Sequence, residues 1–161
     1  MKQHPEVFVP VGLPHDWLIF QGTDLYENGT GWYRKRFVYR PGEDEIAFLR
    51  FEGVYMDSVI NVNGERAMEW KYGYSTFEVP LADRLKDGEN EIMVSVNFQS
   101  PNSRWYSGAG IYRDVWLKVV KQTHLVSDGN YISVRPAGNG SWEMEISTEG
   151  IFRQKGEIRY T

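Results

Sequence analysis

The stretch Ser100-Pro101-Asn102-Ser103-Arg104-Trp105-Tyr106-Ser107-Gly108-Ala109-Gly110 gathers an arginine, two aromatics and three serines between two strand-like segments. An arginine offers a rigid fork of donors for hydroxyl or carboxylate oxygens, and flat rings cover the apolar face of a sugar. Arg104, Trp105 and Tyr106 are therefore the candidate sugar contacts. The plainer alternative is a long loop whose Trp105 and Tyr106 close the end of the fold.

Hydrolytic chemistry would need a positioned carboxylate pair, or a nucleophile with its base. Glu43-Asp44-Glu45 follows the turn residues Pro41-Gly42, and Glu143 and Glu145 share one face of a late strand. Both read as solvated faces. His4, His15 and His124 are isolated, without the spacing that holds a metal, and the sequence has no cysteine for thiolate or disulfide chemistry. No catalytic residue, metal site or cofactor is expected. Gly108-Ala109-Gly110 lacks the helix that a phosphate loop feeds, and reads as a sharp turn. Asn28-Gly29-Thr30 and Asn139-Gly140-Ser141 fit the glycosylation sequon, but both are turn residues first.

The elements that must position the loop are strands. At 161 residues the chain is one domain, or one domain and a fragment, and is too short for a (β/α)8 barrel of roughly 250 residues. It is 15% aromatic and 25% charged with a net charge of −4, so it has no basic field for nucleic acid, and no apolar run approaches a membrane span. A soluble protein is expected. Period-two alternation predicts strands at 32–39, 45–51, 75–79, 90–98 and 113–120, with the 45–51 strand covered on both faces. Asn63-Gly64 predicts a hairpin between 58 and 71. Leu81 to Leu85 offers one helical turn before Asp87-Gly88 stops it. Short strands at about ten-residue spacing predict an all-β, antiparallel sandwich or jelly roll.

Alternation stops over 121–128, and a second hairpin is predicted from strands 131–135 and 142–146. That divides the chain into a jelly-roll domain, 1–121, and a partial second β domain or C-terminal hairpin extension, 122–161. An isolated hairpin is marginal in water, so the tail is expected to pack on the jelly roll or on a neighbouring copy, which leaves a homo-oligomer open.

Leu13-Pro14-His15-Asp16-Trp17, Gly31-Trp32-Tyr33-Arg34-Lys35-Arg36-Phe37, Phe51-Glu52-Gly53-Val54, Val62-Asn63-Gly64, Gly73-Tyr74-Ser75-Thr76-Phe77 and Ser103 to Arg113 come in a recognisable order. Over about residues 8 to 120 the chain resembles the N-terminal sugar-binding domain of family 2 glycoside hydrolases, the β-galactosidase branch more than the β-glucuronidase branch. From Gln122 onward it resembles, more weakly, the start of the immunoglobulin-like domain that follows in that family.

The resemblance implies a jelly roll without catalysis of its own, because the family's catalytic glutamates lie in a barrel absent from this sequence. Asn90-Glu91 only imitates the family's acid/base pair. Arg104 stands near the position where several members send an aspartate into the active site, so that aspartate's role does not carry over. His15 and Asp16 are a second candidate pair, with Asp16 capping local N–H groups as the plainer alternative. The implied partners are a galactoside-like carbohydrate and the catalytic barrel of the parent chain, in a bacterial cytoplasm or periplasm. The rival readings are a domain that only braces its parent enzyme, and hydrolysis by a carboxylate pair in this chain.

Overall fold

The computed structural model describes residues 5–22, 26–102, 108–153 and 155–159. The chain forms two compact units: the described residues of Met1–Gly42 with Ala47–Val119, and of Glu43–Ile46 with Val120–Thr161. In chain order the elements are β1 (His15–Asp16), α1 (Trp17–Gln21), β2 (Gly29–Tyr39), β3 (Glu45–Phe51), β4 (Ser58–Val62), β5 (Glu65–Trp70), β6 (Phe77–Pro80), β7 (Gly88–Phe98), β8 (Gly110–Ile111), β9 (Val115–Lys121), β10 (His124–Gly138) and β11 (Ser141–Ile151).

The first unit is an antiparallel jelly-roll sandwich. One sheet runs β2-β7-β4-β5 and the other β6-β3-β9, with β1 paired to β8 beside them. Alternation sets which residues face inward. Ala47, Leu49 and Phe51 of β3, Ile60 and Val62 of β4, Phe77 and Val79 of β6, and Ile92, Val94 and Val96 of β7 form one buried cluster. Phe51 stacks on Phe77 at 5.0 Å between ring centroids, and Trp70 covers the other side of Phe77 at the same distance. Each such buried ring contributes about 1.5–3 kcal/mol.

Asn63 and Gly64 both have positive φ, 51° and 86°, as the two-residue turn between β4 and β5 requires. The expected helical turn is present, with Leu85 N donating to Leu81 O at 3.1 Å. β3 is fully buried on one face and partly covered on the other, where Ile46 and Phe48 are half-buried and Lys118 lies over the Phe48 ring at 5.2 Å. The strand expected at 113–120 is β9, which begins at Val115, apart from the short β8 that ends at Ile111.

The second unit is built on the β10–β11 hairpin, whose turn is Asn139-Gly140 with φ of 51° and 77°. Pairing of Ile132 with Ile146, Val134 with Met144 and Pro136 with Trp142 puts these side chains on one face. Ile132, Val134, Trp142 and Met144 are exposed there. Gln122 N donates to Asp44 O at 3.0 Å, and Lys121 Nζ pairs with Glu45 at 3.2 Å. No described helix is long and apolar enough to cross a membrane.

Candidate functional site

The two arms of the loop between β7 and β8 are tied to the jelly roll by different means. On the incoming arm, the Tyr55 hydroxyl donates to Asn102 Oδ1 at 2.9 Å, and Asn28 Oδ1 accepts from Ser100 N. On the outgoing arm, Trp17 N donates to Ala109 O at 3.0 Å, and Tyr55 and Gly110 exchange two backbone hydrogen bonds of 2.9 Å. Tyr55 thus holds both arms, through its hydroxyl on one and its backbone on the other. Gly110 adopts φ 135°, and a side chain there would meet the Tyr33 hydroxyl and the His15 carbonyl. Arg104, Trp105 and Tyr106 lie outside the described residues.

His15 and Asp16 stand at the outgoing arm. Asp16, with extended backbone (φ −128°, ψ 107°), is the N-cap of α1: its Oδ1 accepts from Leu18 N and Ile19 N at 3.0 Å each. The capping alternative weighed for Asp16 is the arrangement found. Its Oδ2 lies where a side chain on Gly108 would stand. Gly22, at φ 65°, closes the helix by donating to Leu18 O at 3.0 Å.

His15 Nδ1 is 2.9 Å from the Tyr33 hydroxyl, and its ring stacks on Phe20 at 5.5 Å. The Tyr33 oxygen also lies 3.4 Å from both the His15 carbonyl and Ile111 N. Burial pushes the Tyr33 hydroxyl up to about 12. It therefore stays protonated at neutral pH, bridging β1, β2 and β8.

A polar recess of about 380 Å³ lies at the foot of the incoming arm, lined by Asn28, Thr30, Asn97, Gln99, Ser100 and Pro101. Thr30 Oγ1 donates to Asn97 Oδ1 at 3.1 Å, and Asn97 Nδ2 donates to Asp57 Oδ2 at 3.3 Å. Such amides and hydroxyls match sugar hydroxyls in kind. The sequence reading missed the recess because Asn28-Gly29-Thr30 reads as a turn and Asn97 as the solvent side of a strand. A larger cleft of about 1,040 Å³ is lined by Phe8, Trp32 and Phe37 together with core side chains such as Leu49 and Val94. Its lining is mostly apolar, with His15, Glu27, Asn28, Thr30, Arg34 and Lys35 among its polar members.

Of the carboxylates considered for hydrolysis, Glu45 and Glu143 stand in ion pairs, with Lys121 and, at 2.9 Å, Arg135. Glu91 pairs with Arg36 at 2.8 Å. Asn90 is buried, its Nδ2 donating to the Lys86 and Gly88 carbonyls at 2.9 Å while its Oδ1 accepts from Lys86 N and Asn63 Nδ2 at 2.8 Å. Asn90-Glu91 is thus a structural pin and a surface ion pair.

Residues 16–121 match the family described as glycosyl hydrolases family 2, sugar binding domain. Among curated relatives, β-galactosidase BoGH2A of Bacteroides ovatus is 42% identical over 150 residues, covering 84% of this chain and 18% of that protein. A putative β-glucuronidase of Formosa agariphila is 36% identical over 157 residues, covering 89% of this chain and 15% of that protein. Among solved structures, a β-glycosidase from Bacteroides vulgatus superposes with a TM-score of 0.78 at 31% identity, over 91% of this chain and 21% of that one. The chain thus spans about a fifth of the length of the relatives it matches.

Proposed function

Because the chain belongs to the sugar-binding domains of family 2 glycosyl hydrolases, we propose that it is the non-catalytic module that presents the Ser100–Gly110 loop to a β-galactoside held in the catalytic barrel of a longer parent enzyme. The observation that carries this reading is the double anchorage of the loop, through Tyr55, Asn102, Asp16 and Trp17. A sugar-contacting side chain loses less conformational entropy on binding when its supports are already ordered. Arg104 is the central contact, donating to sugar oxygens, with Trp105 and Tyr106 stacking beside it. His15 and Asp16 serve the sugar at one remove, by holding the outgoing arm. The galactoside preference follows the resemblance to BoGH2A, and residues 122–161 begin an immunoglobulin-like domain whose further strands cover the exposed Ile132 face.

One observation favours a bracing role instead. Asp16 Oδ1 and the Tyr33 hydroxyl are committed to internal hydrogen bonds, so a ligand gains little from them.

Arg104→Ala in the parent enzyme separates the two readings. Sugar contact predicts a fall in kcat/KM of about tenfold or more, on the order of 1.4 kcal/mol of transition-state binding, with the melting temperature nearly unchanged. Unchanged kinetics with a large loss of thermal stability assigns Arg104 to the architecture. A chromogenic β-galactoside assay of this chain tests the non-catalytic assignment: turnover that disappears on replacing one glutamate would contradict it.

A further inference from the structure

Tyr72 and Tyr74, in the turn between β5 and β6, are 62% and 53% exposed although each touches another ring. Their centroids lie 5.9 Å apart in an edge arrangement, and Tyr74 meets Tyr55 at 5.0 Å, also edge-on. Between them Gly73 is buried. A side chain there would overlap the Tyr55 ring, and the Gly73 carbonyl accepts from the Tyr112 hydroxyl at 2.8 Å. The glycine is clamped from two sides while its two neighbours face solvent.

Tyr55 connects this pair to the loop, since the ring that meets Tyr74 carries the hydroxyl that donates to Asn102. The exposed guanidinium of Arg113 lies over Tyr112 at 5.6 Å, and the exposed Asn102 amide stands on the loop's incoming arm. The Asn102 amide is engaged by Met56 Sδ, Gln99 O and the Tyr55 hydroxyl, so the Arg113 guanidinium is the donor beside the exposed rings, an arrangement that suits a ligand with one apolar face and a rim of hydroxyls.

We infer that Tyr72 and Tyr74 form an outer subsite for a neutral pyranose, one or more units along an oligosaccharide whose terminal sugar is taken at the 100–110 loop. The inference rests on the functional reading above and extends it from a single sugar to a chain. Tyr72 supplies the open ring face, and Tyr74, backed by Tyr55, fixes its angle.

The test is an NMR titration of this chain with methyl β-galactoside, galactotetraose and cellotetraose, following the ring signals of Tyr72 and Tyr74 and the amides of 100–110. The tetrasaccharide expected to bind moves both tyrosine rings, whereas the methyl glycoside leaves them still and moves the loop. Tyr72→Ala, which removes an exposed ring, lowers tetrasaccharide affinity about tenfold and leaves methyl galactoside binding unchanged. Tyrosine rings that stay still with both tetrasaccharides, or a Tyr72→Ala variant with unaltered tetrasaccharide affinity, would overturn the inference. Tyrosine shifts with a silent loop would support the platform and count against the loop reading alone.

Discussion

Asp16 and Gly108 share one small volume: the carboxylate that caps α1 occupies the space a side chain on Gly108 would need. One acidic group thereby caps a helix start and fills the space beside the outgoing arm of a loop more than ninety residues away in sequence. Asp16→Ala removes the cap and should cost about 0.5–2 kcal/mol, whereas Asp16→Asn keeps an acceptor and should cost less. Gly108→Ala forces the carboxylate aside. Since both changes spoil one arrangement, a double-mutant cycle in denaturant should show less than additive loss. Full additivity would mean that the cap and the loop arm are independent.

The buried Asn90 side chain makes four hydrogen bonds. Truncation to alanine leaves Lys86 N without this acceptor, the Asn63 amide with only the Arg84 carbonyl, and two carbonyls without the Asn90 donor. A loss of about 2–4 kcal/mol is expected from several buried groups left unpaired. Equilibrium unfolding of Asn90→Ala checks it. Glu91→Gln, which touches only an exposed ion pair with Arg36, should change stability by less than about 1 kcal/mol.

The raised Tyr33 hydroxyl gives stability a defined pH dependence. Its folded value near 12 exceeds the ordinary 10, so above pH 10 the unfolded chain releases this proton more readily than the folded one. The contribution is fully present below pH 10 and is lost as pH rises through 12. Tyr33→Phe should flatten the alkaline limb of the stability curve, and ultraviolet titration should lose one late-ionising tyrosine. An unaltered alkaline limb would contradict the assignment.

Legibility in the sequence follows the range of the interaction responsible. Asn63-Gly64 carries its own backbone preference, so the β4–β5 hairpin can be read from two residues, and β7 is plain from Ile92, Val94, Val96 and Phe98. α1 escapes because Trp17-Leu18-Ile19-Phe20 is one apolar turn, too short for a helical period to show. Leu117 and Val119 read as inward but are each 41% exposed, since alternation gives the side of the strand and not what covers it. Gly108 reads as a turn glycine, yet its smallness serves Asp16, a partner no local pattern reveals. The loop is legible in composition through Arg104, Trp105 and Tyr106, whereas its anchor Tyr55 and the exposed pair Tyr72 and Tyr74 depend on strands meeting in space.

The central claim, that the 100–110 loop meets sugar, is tested most directly by recording amide spectra of this chain during titration with galactose and lactose. The account predicts shifts concentrated at 100–110 and at the recess residues Asn28, Thr30 and Asn97, diminished in Arg104→Ala. Spectra that stay unchanged at the loop and recess throughout the titration would contradict it and leave the domain as a brace for its parent enzyme.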